Sequence, residues 1–204
     1  MGFLDALRGR SQPVRANLDA LFALPSAAVT LETAAGLVSS GNAGICWKPP
    51  ASQSAEDVQR EITELLGIGD AGDASSTTPA ASLPTMTQQE DSYGYRWLLL
   101  EDPAIDDLVT RVHMVNTSLT EAGWGPQLLC SVFSFVPGPE AGPEQKSIFL
   151  VYLYKRGTFY PFAPLGGEKR DTENELRVRS VLGSDLPVEA DLSRWFPLWD
   201  LPVA

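Results

Sequence analysis

The sequence is short of the residues that most metal and catalytic sites require. Its 204 residues include one histidine, His113, and two cysteines, Cys46 and Cys130. A single histidine excludes the HExxH motif and most zinc sites, and the cysteines form neither a CxxC pair nor a disulfide framework. Each cysteine lies in an apolar, strand-like run, where a thiol usually acts as a small hydrophobic group. We therefore expect no metal site and no cofactor.

Basic residues are also scarce, because 15 Lys and Arg stand against 26 Asp and Glu, for a net charge of -11. Nucleic-acid affinity comes largely from neutralisation of phosphates by Lys and Arg, so we expect no nucleic-acid partner. Apolar runs stay far below the roughly 18 residues that indicate a membrane span. The opening residues lack the basic region and apolar core of a signal peptide. These features predict a cytoplasmic protein.

Patterns that resemble catalytic or nucleotide-binding motifs lack the context those motifs need. A GxGxxG match at 67–72 follows a predicted helix rather than a strand, and a Ser/Thr/Pro-rich tract comes after it. The acidic pairs at 101–102 and 106–107 lie where a helix is predicted to begin, where the helix dipole favours negative charge. No partner stands at a diagnostic spacing from His113, so no catalytic triad can be assembled. We predict a protein that is not an enzyme; an enzyme would need carboxylates gathered from distant positions.

Hydrophobic periodicity predicts helices and strands on both sides of one segment that lacks it. Residues 67–92 are rich in Gly, Ala, Ser, Thr and Pro and contain no Lys or Arg, which predicts a flexible linker. Before the linker, the pattern predicts a short helix at 18–24, strands at 28–32, 37–40 and 43–47, and a helix capped by Ser54 and ending near Leu66.

The part after the linker is patterned more strongly. Its segments predict strands at 95–101, 128–136, 148–154 and 159–165, and helices at 103–122 and 172–182. The strands at 128–136 and 148–154 are apolar on both faces, which is typical of positions inside a sheet. A capping box of Thr172 and Glu175 is expected to open the last helix. The whole predicts an α+β fold of two layers, a mainly antiparallel sheet with helices packed on one face, forming a single domain over 16–204 that the linker interrupts.

The first fifteen residues differ from the rest. They carry Arg8, Arg10 and Arg15 against Asp5 alone, while the remainder is strongly acidic. Apolar side chains lie at helical spacing among them, so the segment is amphipathic if helical. Two interpretations of this basic amphipathic segment, 1–15, remain open. It either binds a partner or an anionic membrane surface, or it is a frayed terminus. Its candidate contact residues are Phe3, Leu4, Leu7, Arg8 and Arg10.

The other end is rich in aromatic side chains. Trp195, Phe196 and Trp199 lie within the last ten residues. Aromatic residues dominate the energetics of protein interfaces. A terminus that docks on its own sheet is nevertheless the commoner arrangement, and we favour docking. The three residues remain candidate contacts for a partner.

Several stretches of the sequence resemble one protein family. They are the opening MGFLDAL, the run LDALFALPSAAVTLE at 18–32, and residues 95–135, 150–164 and 195–201. These stretches resemble the actinobacterial PspA-associated family PspAB. The resemblance implies a role in the phage-shock response to envelope stress, whose central member, PspA, is a coiled-coil protein that coats stressed inner membrane. It also implies proximity to a membrane protease of the HtpX type, and it supplies no catalytic residues.

Together, the residues and the resemblance predict a non-catalytic cytoplasmic adaptor or regulator, peripheral at the inner face of the membrane. Its expected partner is PspA or an HtpX-type protease. An alternative from the residues is a chaperone-like α+β module that binds an extended or apolar segment of a partner.

Overall fold

A computed structural model describes residues 17–49, 55–66, 86–142 and 145–203 of the chain. A short 3₁₀ helix, Leu18–Ala23, comes first. The following elements are α1 Leu24–Ala35, β1 Leu37–Trp47, α2 Ala55–Leu66, β2 Met86–Glu90, β3 Arg96–Glu101, α3 Ile105–Glu121, β4 Leu128–Pro137, β5 Ile148–Leu153, β6 Thr158–Phe162, β7 Pro164–Gly166, β8 Lys169–Arg170 and α4 Thr172–Leu182.

Six strands form one sheet in the order β2-β3-β1-β4-β5-β6, and every neighbouring pair is antiparallel. Helices α1, α3 and α4 pack on one face of this sheet and enclose the larger hydrophobic core. The predicted α+β class, with an antiparallel sheet and helices on one face, is confirmed. Because β1 precedes the predicted linker and pairs with β3 and β4 beyond it, both parts of the sequence contribute to one sheet.

Each central strand buries both of its faces because successive side chains point to opposite sides of a sheet. In β4, Phe133 and Phe135 belong to the core beneath the helices, whereas Val132 belongs to a second apolar cluster on the other face. In β5, Leu150 and Val151 divide between the two faces in the same way. The second face is therefore apolar and needs a cover other than the helices.

The strand predicted at 28–32 is wrong, because these residues lie within helix α1. Their β-branched content suggested a strand, yet Leu24, Ala28 and Leu31 repeat at helical spacing and are buried in the core. The helix ends at Gly36, which adopts a left-handed conformation with φ of 65°. The two strands predicted at 37–40 and 43–47 are one strand, β1, with a register shift between Ser39 and Ala43.

The helical stretch Leu18–Ala35 is long and apolar enough, by length and composition alone, to cross a membrane, with a mean hydropathy of 1.2. In the fold its Leu21, Leu24 and Leu31 are fully buried in the core. One face of the stretch thus packs against the core, although only 28% of the stretch is buried in the domain.

The C-terminal part of the predicted linker contains a strand. Met86–Glu90 form β2, an edge strand paired with β3. These residues are mostly polar, and an edge strand exposed on one side needs little apolar surface. Residues 67–85 lie outside the described residues.

Candidate functional site

The C-terminal residues 195–203, called the strap here, lie across the face of the sheet that the helices leave uncovered. The chain reaches this face by pairing with β6, where the Phe159 amide donates to the Pro187 carbonyl at 2.9 Å. Trp195 and Val203 belong to the apolar cluster on this face and are only 5% and 3% exposed. The docked tail that we favoured from the sequence is confirmed by this burial.

Trp195 anchors the first end of the strap. Its ring stacks on Tyr160 with centroids 6.1 Å apart, and its indole N–H donates to the Glu189 carbonyl at 3.0 Å. The Arg170 guanidinium donates to the carbonyl of Trp195 at 2.6 Å, and Arg179 lies over the ring at 5.9 Å. Apolar contact, hydrogen bonds and a cation–π contact therefore hold the same residue.

The arginine that holds Trp195 is itself fixed by a buried carboxylate. Glu175 is fully buried, accepts the Ala163 amide at 2.9 Å, and accepts Arg170 Nε at 3.0 and 2.9 Å through its two oxygens. The predicted capping box of Thr172 and Glu175 is therefore wrong. Asp171 caps α4 instead, by accepting the Asn174 amide at 3.1 Å.

A second carboxylate, Glu189, fixes the segment that precedes the strap. It pairs with the Arg156 guanidinium, and it accepts the Thr158 hydroxyl and the Asp191 amide at 3.0 Å each. The hydrogen bond from Arg156, opposed by partial burial, holds the pKa of Glu189 below its usual value. The Glu189 carboxylate is thus ionised and forms structural contacts.

Val203 and Asp200 anchor the other end of the strap. Val203 packs against Gly44 of β1 so closely that a Cβ at position 44 would lie 2.6 Å from Val203 Cγ2. The Asp200 carboxylate accepts the Ser92 hydroxyl at 2.7 Å. Between the two anchors, Tyr160 donates its hydroxyl hydrogen to the Phe196 carbonyl at 2.8 Å. Residues 196–199 therefore pass over the sheet as a bridge that is fixed at both ends.

A cavity of about 600 Å³ lies beneath this bridge. Its floor includes Cys46 and Cys130 from the neighbouring strands β1 and β4. Aromatic and aliphatic side chains line most of the remainder, namely Tyr93, Tyr95, Trp97, Leu129, Leu153, Tyr160, Phe196, Pro197, Leu198 and Trp199. The volume lies within the range of roughly 300–1,000 Å³ that is usual for ligand pockets.

Charged side chains surround the mouth of the cavity. Lys155, Arg156 and Arg194 line it, together with Asp91. Asp91 forms hydrogen bonds within the protein. Its two oxygens accept hydrogen bonds from the amides of Tyr93 and Tyr95 and from the indole N–H of Trp97, each at 2.9 Å. Asp91 thus shapes the wall of the cavity.

Tyr93 lies at the mouth of the cavity among carboxylates. Desolvation and the nearby Glu168 and Asp200 raise the pKa of its hydroxyl above the usual value. The hydroxyl is engaged within the protein, because it donates a hydrogen bond to a Glu168 carboxylate oxygen at 3.4 Å.

The predicted contact residues have different positions. Phe3, Leu4, Leu7, Arg8 and Arg10 lie outside the described residues. Trp195 faces the sheet and serves as an anchor, so its side chain is not available to a partner. Phe196 is 55% exposed, and Trp199 is partly exposed while its ring packs edge-on against Phe162 with centroids 5.5 Å apart. Phe196 and Trp199 thus remain available for contact.

His113 has a structural environment on the surface of α3. Its ring contacts Phe22, with centroids 4.7 Å apart, and its Nε2 lies 3.7 Å from an oxygen of Asp19. Over the described ranges, no group of three or more His, Cys, Asp and Glu residues is placed to hold a metal ion. The GxGxxG match at 67–72 falls outside those ranges.

Apart from Phe196 and Trp199, sequence reasoning missed the residues that line the cavity, because they come from distant parts of the chain. The only local signal was that Cys46 and Cys130 each occupy one side of a strand with apolar neighbours. Their proximity depends on the register of β1 with β4, which places them directly opposite each other. The hydrophobic pattern of a single segment does not predict how that segment pairs with a distant strand.

Comparison with known proteins gives one family. The family model PspAB, described as PspA associated protein B, matches residues 1–203. The searches of curated proteins and of solved structures returned no match. Since the family model covers almost every residue, the fold, strap and cavity described above all lie within it, and the chain belongs to the PspAB family of PspA-associated proteins.

Proposed function

We propose that this protein is a non-catalytic adaptor or regulator of the phage-shock response that binds PspA through the strap and the cavity beneath it. The family description supports PspA as the partner, because it names the association. The exposure of Phe196 beside an apolar cavity, on a segment fixed at both ends, is the observation that carries the choice of surface.

Rigid aromatic side chains next to a pocket are the usual composition of a binding hot spot. Phe196 and Trp199 are held in place by the anchors at Trp195 and Val203, so little conformational entropy is lost when a partner covers them. The cavity is large enough to accept apolar side chains from one face of a partner helix, which is a common mode of recognition.

The charge of the whole chain, rather than of the cavity with its Lys155, Arg156 and Arg194, supports the same partner class. The chain carries a net charge of -11. An acidic body attracts basic faces of a coiled coil, and this attraction increases the association rate more than the final affinity. A salt dependence of the association rate is therefore part of the proposal.

The non-catalytic role is supported by how the buried carboxylates are used. Glu175 and Glu189 both bind arginines and backbone amides, and these contacts fix the strap. His113 contacts Phe22 and Asp19 rather than a nucleophile. Each of these groups has a structural task.

A binding experiment with purified PspA tests the proposed surface. We expect Phe196→Ala to weaken binding by about tenfold or more, as removal of a central aromatic does in other interfaces. Leu192→Ala is the matched control, because Leu192 is 49% exposed but does not line the cavity. Its effect should stay within about twofold. Equal losses in both variants, or no binding of the full chain at physiological salt, would refute the proposal.

The basic amphipathic segment 1–15 is proposed to position the adaptor at the inner face of the membrane, in the cytoplasm. This part rests on the sequence, with its three arginines and one aspartate. Deletion of residues 1–15 should reduce binding to vesicles that contain anionic lipid and leave binding to neutral vesicles unchanged. Equal binding of the full and shortened chains to anionic vesicles would contradict a membrane role. An HtpX-type protease is a second protein partner to include in the same binding assays.

A chaperone-like module is the alternative function, and the apolar cavity favours it as well. Such a module would bind unfolded segments without regard to their source, whereas an adaptor would bind folded PspA. Suppression of the aggregation of an unrelated unfolded protein, measured by light scattering, distinguishes the two. Strong suppression that Phe196→Ala abolishes would favour the chaperone.

A further inference from the structure

We propose that Cys46 and Cys130 form an oxidation site, in which a small uncharged hydroperoxide that enters the cavity converts the two thiols into a disulfide. This inference does not depend on the proposed function, because it concerns the purified chain alone. Two observations carry it, which are the strand register and the access from the cavity.

The register pairs the two cysteines at a separation that a disulfide can span. Cys46 of β1 lies directly opposite Cys130 of β4 in an antiparallel pair, and both are free thiols. Residues that face each other in this way have Cα atoms about 4.5–5.5 Å apart. Disulfides span Cα separations of about 4.4–6.8 Å. The register of β1 shifts between Cys46 and Trp47, and such irregularities increase the local twist and the freedom to adjust.

Access comes from the cavity alone. Cys46 and Cys130 are 3% and 4% exposed, yet both line the cavity beneath the strap. The walls near them include Leu129, Leu153 and Tyr160, so an uncharged and partly apolar reagent enters more readily than a charged one. The site therefore selects by polarity as well as by size.

The surroundings of Cys46 affect its reactivity. A hydrogen bond with Cys130 and burial raise the pKa of Cys46 well above its usual value. Cys46 thus remains a thiol at neutral pH. Because buried thiols without a neighbouring cation react slowly, oxidation should be slower than at an exposed cysteine and should accelerate as pH rises.

The chemistry balances in two steps. The thiolate of one cysteine attacks one oxygen of the hydroperoxide, the O–O bond breaks, and an alcohol leaves after taking a proton, so that this cysteine becomes a sulfenic acid. The sulfur of the other cysteine then attacks the sulfenic sulfur, the S–O bond breaks, and water leaves with the proton of the attacking thiol. The net change converts two thiols and one hydroperoxide into one disulfide, one alcohol and one water.

The product would join strands β1 and β4 in the middle of the sheet. The crosslink would connect positions 46 and 130, on either side of the predicted linker at 67–92. A crosslink that closes so long a loop restricts the unfolded chain and should raise the melting temperature by roughly 10 °C. Oxidation would also alter the cavity floor.

Treatment of the purified full chain with cumene hydroperoxide tests the inference. We expect both thiols to disappear together, the intact mass to fall by about 2 Da, and the peptides that contain Cys46 and Cys130 to be linked. A reductant should restore both thiols. The charged thiol reagent DTNB should react with neither cysteine in the folded chain and with both after denaturation.

Cys46→Ser and Cys130→Ser serve as comparison variants, and Cys→Ala versions replace them if a serine prevents folding. Neither single variant can show the paired loss or the rise in melting temperature. The inference is overturned if the unaltered chain keeps both thiols under excess hydroperoxide. Crosslinks only between chains, or independent oxidation of each thiol to higher acids, would overturn it equally. The thiol content of the unaltered chain after hydroperoxide treatment tests the inference even if neither variant folds.

Discussion

The contact between Gly44 and Val203 offers a direct test of how the strap is held. Gly44→Ala would place a Cβ 2.6 Å from Val203 Cγ2 and 3.1 Å from Trp97 Cε3. Real Cβ atoms do not tolerate the shorter distance, so Val203 must move away from the sheet. Added volume in a packed region typically costs about 1–3 kcal/mol of unfolding free energy. For a chain of this size, the melting temperature should fall by roughly 2–12 °C.

A double-mutant cycle isolates the contact from other effects. Val203→Ala removes two methyl groups and should cost about 1.6 kcal/mol, at about 0.8 kcal/mol for each buried carbon. In the Val203→Ala background the clash with Cγ2 is absent, so Gly44→Ala should cost about 1–2 kcal/mol less than in the unaltered chain. Only the closer approach to Trp97 remains.

Urea denaturation followed by tryptophan fluorescence measures each free energy. Gly142→Ala is the matched control, because a Cβ at position 142 meets no atom within 4 Å. It should be neutral or slightly stabilising, through the reduced entropy of the unfolded chain. If Gly44→Ala behaves like Gly142→Ala, or if the two changes in the cycle add within about 0.5 kcal/mol, the described strap contact is wrong.

Two further predictions concern the carboxylates that fix the strap. Glu175→Gln should cost about 3–5 kcal/mol, because Arg170, whose side chain is only 23% exposed, would lose its counter-ion, whereas Glu173→Gln on the exposed side of α4 should change stability by less than about 0.5 kcal/mol. The pairing of Glu189 with Arg156 lowers the Glu189 pKa, so its contribution is complete above the ordinary glutamate value of 4.5 and is lost as pH falls below it. Glu189→Gln should therefore flatten the decline of stability in acid.

Thermal unfolding at several pH values from about 6 to 3 checks both predictions. Equal stability of the Glu175 and Glu173 variants would show that the buried ion pair does not hold the strap. An unchanged acid slope in Glu189→Gln would show that other carboxylates dominate the decline.

The sequence predicted elements well where the pattern was local and complete. Strands β4 and β5 were evident from apolar residues on both faces, since a central strand needs nothing beyond its own side chains to show that it is buried. Helix α3 was evident from an apolar stripe of three to four turns. The sequence failed at α1, because β-branched residues beside alanines suit a strand and a helix equally when the packing partner is unknown.

The predicted capping box shows how a tertiary contact overrides a local rule. Thr172 and Glu175 have the spacing of a capping box, but the Glu175 carboxylate binds Arg170 and the Ala163 amide instead. A buried carboxylate forms stronger hydrogen bonds with a guanidinium than with a helix amide that water can solvate. Asp171, one position earlier, was free to cap the helix.

By itself, the sequence determined the α+β class, the antiparallel strands, the acidic surface, the family resemblance and the apolar tail. Apart from the family resemblance, which rests on several stretches taken together, each of these follows from composition or from a pattern within one segment. Only the tertiary structure decided that Trp195 is an anchor while Phe196 is exposed, and that Cys46 faces Cys130 at the floor of a cavity. Those positions depend on the register between distant strands and on the path of the strap, which long-range packing fixes and no local pattern encodes.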